Sequence, residues 1–202
     1  MSEPPTPDLI AACFDRMAET GWSRFSVADA ARVAGLPLDA ARRQLPCRSA
    51  FLLAFGRLAD TAAVEGASSE GTTRDRLFDV LMRRIDVLQA HRAGVLALLK
   101  GVMLDPAAGL LLAAATHTSM GWLLAAAGAD ATGPLGHLRR KGLLAVWLWT
   151  IRAWQRDDGE DLAATMAALD QALAQADKIA GWISGAPRGE APPADPLPEP
   201  AP

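Results

Sequence analysis

FSVADAARVAGLPLDAARRQLPCRSAFLLAFG, residues Phe25 to Gly56, sets two short helical patterns on either side of a Gly-Leu-Pro break and then begins a third. Val27, Ala30, Ala31 and Ala34 recur on one side of the first pattern, and Gly35 ends it, as glycine does where a helix closes on a left-handed residue. Ser26 stands three residues before Asp29, a Ser-x-x-Asp form of the capping box that predicts where this helix starts. The second pattern has to fit between Pro37, which suits a first helical turn, and Pro46, which pushes Leu45 out of helical geometry. It is predicted to be only about two turns long. The third starts around Cys47 and carries Phe51, Leu52, Phe55 and Leu58.

Upstream, Ile10, Cys13, Phe14 and Met17 form one apolar helical face that runs out near Gly21. Downstream, the small and polar segment EGASSEGTT divides the chain. Longer helices are predicted from Arg74 to His91 (Leu77, Leu81, Ile85, Leu88), Ala93 to Val102, Ala107 to Ala127, Leu135 to Arg156 and Glu160 to Ile183. The last carries Leu162, Met166, Leu169, Leu173, Ala176 and Ile183 along one stripe. From Ser184 the tail SGAPRGEAPPADPLPEPAP has no apolar period, so it is expected to be disordered or polyproline-like. The expected organisation is a four-helix head over residues 1–64, a helical body over 65–183 and a Pro-rich tail over 184–202.

Half of the 202 residues are apolar and there is no tyrosine. Ala and Leu dominate while Val and Ile are sparse, so an all-α fold follows. A net charge of −3 excludes a protein that coats nucleic acid by bulk charge, which leaves only a local basic patch for that role. The opening MSEPPTPDLI has neither a basic start nor an apolar core, and the two cysteines, Cys13 and Cys47, form no framework, so a cytoplasmic location is expected. The apolar run from Ala107 to Gly128 reaches membrane-spanning length but is broken by Thr116, His117, Thr118 and Ser119. It reads as a buried helix, with no stable membrane insertion.

The four-helix head followed by about five longer helices, with Ser26, Val27, Ala30, Ala31, Ala34, Gly35, Leu36 and then Leu45, Pro46, Arg48, Ala50 and Phe51 in ungapped register, resembles the TetR family of bacterial transcriptional regulators. That resemblance implies a helix-turn-helix head that binds a double-stranded DNA operator, a homodimer, and a small apolar effector held in the body. The chain departs from the pattern at Pro37 and Leu38, where a serine cap is usual, and at Arg42 and Leu45, where an aromatic pair is usual. The recognition helix thus loses a side-chain cap worth about 1 kcal/mol. Arg42 brings charge to the place where a tyrosine would pack against phosphate.

Charge segregation points the same way. Arg24, Arg32, Arg42, Arg43, Arg48 and Arg57 face only Asp29 and Asp39 between Trp22 and Arg57, a net of about +4 in an acidic chain. Arg24, Arg32, Arg42, Arg43, Gln44 and Arg48 are the predicted DNA contacts.

A second resemblance concerns the body. RDRLFDVLMRRIDVLQAHRAGVLALL and the later helices are similar to the lipid-binding accessory proteins of ubiquinone biosynthesis, which share this fold and have generally lost DNA binding. It implies, as the alternative, a carrier of a quinone-type lipid. The aromatic run and terminal amphipathic helix of those proteins have no counterpart here.

Five of the six tryptophans fall in the body. Leu144, Trp147, Ile151 and Trp154 share a stripe that, with Leu169 and Leu173, is predicted to form the dimer interface. Met103, His117, Met120, Trp122 and Trp149 are the predicted lining of a ligand cavity. His91, His117 and His137 lack a second ligand at helical spacing and no Cys-x-x-Cys is present, so neither metal nor cofactor is expected. No phosphate loop, nucleophile triad or confined carboxylate pair appears, DDGED at 157–161 reading as an exposed turn that caps the last helix, and enzymatic activity is not expected.

Overall fold

Glycines with positive φ punctuate the first third of the chain. Gly21 (φ 73°) ends the first helix and Gly35 (φ 69°) the second, where the Gly35 amide donates to the Arg32 carbonyl and the Leu36 amide to that of Ala31. This pair of bonds is a Schellman closure. A computed structural model of the chain describes residues 5–67 and 70–184, and among them every regular element is a helix. They are α1 (Pro7–Thr20), a single 3-10 turn (Trp22–Arg24), α2 (Val27–Val33), α3 (Leu38–Gln44), α4 (Arg48–Glu65), α5 (Thr73–Gln89), α6 (Arg92–Val102), α7 (Pro106–Ala126), α8 (Gly133–Trp154) and α9 (Ala163–Ser184). The tail expected from 185 to 202 lies outside the described residues.

Each predicted helix is present with its ends shifted by one to three residues. The caps differ more. Ser26 occupies the cap position of α2 but makes no side-chain bond, because Asp29 is taken by Arg16 of α1 at 2.6 Å and by Arg32 at 3.4 Å. The working capping box is Thr72 with Asp75 at the start of α5, where each side chain accepts from the other's backbone amide. Pro37 caps α3 without a side-chain bond, as its residue type requires. In the DDGED turn, Asp157 is buried rather than exposed, and its carboxylate accepts from the amide and hydroxyl of Thr165 in the first turn of α9.

The head packs directly on the body through α6. Gly94 faces Phe14 of α1 so closely that a methyl there would lie 2.6 Å from the Phe14 carbonyl, and Gly101 meets Trp22 in the same way. His91 stacks on Phe14 at 4.9 Å between ring centroids, and burial lowers its pKa, an effect Asp15 partly opposes. Trp22 ties these parts together: its indole N–H donates to Asp105 Oδ2 at 3.0 Å, while Asp105 Oδ1 accepts from the Ala108 amide and so caps α7. On the far side α4 packs on α5 and α7, and α8 packs on α9.

The α7 helix is long and apolar enough to cross a membrane, yet only a third of its most apolar window is buried. The expectation of a buried helix therefore holds for one face, which carries Thr116, Ser119, Met120, Leu123 and Leu124, while Leu110 and Trp122 face outward.

The hydrogen bonds from Trp22 and then from the Ala108 amide hold Asp105 below the usual carboxylate range. A carboxylate with a depressed folded pKa adds stability that is present above its unfolded value of about 4 and is lost as pH falls through the lower folded value. Asp105→Ala should therefore lower the melting temperature at neutral pH, and its gap from the wild-type protein should close as the pH is brought below about 4; thermal melts across that range check this.

Candidate nucleic-acid interface

The turn between α2 and α3 and the start of α4 enclose an open cleft of about 480 Å³, lined by Phe25 to Ala28, Leu38, Ala41, Arg42 and Leu45 to Arg48. Its shape follows from three local facts. Gly35 and Pro37 set α3 across α2, Pro46 stops α3 after two turns, and Phe51 and Leu52 bury the first turns of α4 in the head core. The first turns of α2 and α4 both open on the cleft, and neither Ser26 nor Cys47 caps its helix with a side-chain bond. Their leading backbone amides thus point outward without helical partners and carry the positive end of the helix dipole. A phosphate oxygen is the natural guest.

The predicted DNA contacts divide into two groups. Arg42 is exposed, lines the cleft and has no hydrogen bond or ion pair among the described residues. Arg43 is exposed but pairs with Asp39 one turn earlier at 2.7 Å, the hydrogen bond holding the Asp39 carboxyl below its usual range. Exposed pairs of this kind contribute little to stability, so Arg43 is readily exchanged to another acceptor. Among the described residues Arg24 bonds to the Thr20 carbonyl, and Arg32 makes its long pair with Asp29; both are exposed.

Arg48 and Gln44 are otherwise occupied. The Arg48 guanidinium lies 5.1 Å over the Trp22 ring and donates to the Trp22 carbonyl at 3.1 Å, so this arginine, expected to meet phosphate, lines the cleft but is already bonded within the head. Gln44 accepts from the Thr6 amide at 3.0 Å and fastens the chain before α1 to the end of α3. Both pairings have one feature in common: each side chain finds a partner more than twenty residues away that spacing along the chain does not reveal. The thiols differ in the same way. Cys13 is buried and pushed up to about 12 by burial, which makes it inert, while Cys47 is exposed at the cleft.

The body residues require larger corrections. Of the expected cavity lining, Met120 is fully buried, whereas Met103 is 84% and Trp122 67% exposed, so they do not share a cavity. His117 is half-buried against His137, ring centroids 5.8 Å apart, and Trp149 is 57% exposed on the outer face of α8. The expected dimer stripe points inward. Trp147 stacks under Arg84 at 4.8 Å, and Trp154, fully buried, donates to Gln89 and lies under Arg92. Leu169 and Leu173 are buried, and Leu144 and Ile151 are half-buried against the same core. The face of α8 left outside carries Leu138, Ala145, Leu148, Trp149 and Arg152, and Ala163, Ala164 and Ala167 of α9 are exposed as well.

No group of three or more His, Cys, Asp or Glu side chains that could hold a metal ion occurs among the described residues. No family model matches the sequence, and no curated protein matches it significantly. Solved structures do match in shape. A TetR transcriptional regulator from Nitrosomonas europaea ATCC 19718 superposes with a TM-score of 0.70 at 18% identity, covering 85% of this chain and 97% of that one. A TetR transcriptional regulator from Rhodococcus sp. RHA1 superposes with a TM-score of 0.57 at 18% identity, covering 84% and 93%. The chain has the TetR fold.

Proposed function

We propose that the protein is a dimeric, DNA-binding transcriptional regulator of the TetR type, whose head docks α3 into the major groove of an operator and whose body responds to a small effector. The observation that carries this reading is the cleft itself: two helix N-termini with uncapped amides and one unpaired arginine converge beside a two-turn helix whose outer face holds Arg42 and Arg43. Amides and Arg42 take phosphate oxygens and fix register, and Arg43, once released from Asp39, reaches a base edge. The fold shared with regulators supports the same reading. The lipid-carrier alternative draws no comparable support, since the two solved structures described above are transcriptional regulators.

Operator palindromes are read by two heads about 34 Å apart, which requires a second copy. The outer stripe of Leu138, Ala145, Leu148 and Trp149 on α8 is the surface best suited to it, because it is an apolar helical face left exposed among the described residues. Trp149→Glu should shift the protein toward monomer in analytical ultracentrifugation; a dimer unchanged by this substitution would contradict the interface.

Gel shifts against the DNA upstream of its own gene test the reading as a whole. Arg42→Ala should weaken binding and reduce the slope of log affinity against log salt by about one. Arg48→Ala should leave that slope in place while lowering the melting temperature, because its guanidinium is bonded within the head. An identical salt slope in wild-type protein and Arg42→Ala counts against the phosphate role.

A further inference from the structure

One buried charge in the body has more donors than its stacking on Trp147 uses. Arg84 of α5 has a side chain only 6% exposed, and its Nη1 lies 2.9 Å from Asp60 Oδ1 of α4, whose side chain is 19% exposed. The contact is an ion pair without hydrogen-bond alignment, and the buried Arg84 Nε and Nη1 have no hydrogen-bond partner among the described residues. Ser119 of α7 donates to the other oxygen of Asp60, and Trp147 of α8 stacks on the guanidinium at 4.8 Å. Four helices thus meet at one cation. Burial lowers the Arg84 pKa, with the Asp60 charge opposing it.

We propose that Arg84 is the anchor of an effector site for a small apolar carboxylate, and that Asp60 is the built-in competitor that fills this site in the free protein; the proposal rests on the regulator reading above and names its effector class. A guanidinium whose donors are poorly satisfied gains most from a carboxylate that can approach it in a bidentate geometry, which Asp60 does not achieve. Solvent reaches the pair from its acid end, so an incoming carboxylate meets Asp60 first and takes its place. The residues one turn away or adjacent, Val80, Leu81 and Leu88 on α5, Met120 and Leu123 on α7 and Leu143 on α8, are packed core hydrophobics, so a ligand that reaches Arg84 has to part them and must itself be apolar. A neutral molecule of the same shape would leave the cation without a counter-charge once Asp60 had gone, which is costly in the interior.

The exchange has a consequence for the head. Asp60 sits near the body end of α4, and the other end of α4 forms one wall of the cleft. Replacing Asp60 by a free carboxylate removes the ion pair to α5 and the Ser119 bond to α7 that tie the body end of α4 to those helices. Effector binding and cleft geometry are then coupled through a single helix, and by linkage DNA and carboxylate weaken each other's binding by the same factor.

Isothermal titration calorimetry of the full chain with octanoate and with octanol tests this without DNA, so its failure and that of the gel shifts are separate results. Octanoate should bind at least about tenfold more tightly than octanol, and Asp60→Asn, which removes the competitor, should tighten octanoate by about another tenfold. Ser119→Ala, a milder change that only loosens Asp60, should tighten octanoate in the same direction. The double substitution Asp60→Asn with Arg84→Met should erase the preference for the acid. Equal binding of acid and alcohol, binding of neither, or no tightening in both Asp60→Asn and Ser119→Ala overturns the proposal.

Discussion

Trp22 is the contact on which the rest of the arrangement depends. Its indole N–H is held by Asp105 at the entrance to α7, its side chain is met by the bare backbone of Gly101 in α6, and its ring and carbonyl hold Arg48 at the start of α4. It stacks on Phe25, 6.1 Å away, which lines the cleft. One buried aromatic therefore fixes the cleft to three helices at once. Replacing it would remove the packing, the hydrogen bond to Asp105 and the ring over which Arg48 lies.

The same aromatic packing continues from the head into the body. Phe14, Phe51, Phe55 and His91 form one set of edge and stacked ring contacts that crosses from α1 and α4 to the start of α6. Aromatic pairs in such arrangements add about 0.5–1.5 kcal/mol each beyond the area they bury. A shift in α6 or α4 is transmitted to the cleft because close-packed interfaces move between discrete arrangements and do not yield continuously.

The helices and their order were legible from periodicity and from glycine and proline positions, and so was the cleft-forming run from Phe25 to Arg48. What periodicity could not supply was the partner of each polar side chain. Ser26 and Thr72 both begin a Ser/Thr-x-x-Asp pattern, but Asp29 is captured by Arg16 from another helix while Asp75 has no such rival, so only the second becomes a capping box. The α8 helix is apolar on two faces, and the choice between them is made by Arg84 and Gln89, which draw Trp147 and Trp154 inward and leave Leu148 and Trp149 outside. Arg48 carried the right charge for phosphate, yet it is claimed by an aromatic ring 26 residues earlier.

The central claim is that the amides at the starts of α2 and α4, with Arg42, receive the phosphates of a duplex. Backbone amide NMR shifts recorded on adding short duplex DNA address it directly. The account predicts the largest changes at Val27, Ala28, Ser49 and Ala50 and at the Arg42 side chain. Changes confined to other surfaces, with these amides unmoved at saturating DNA, would contradict it.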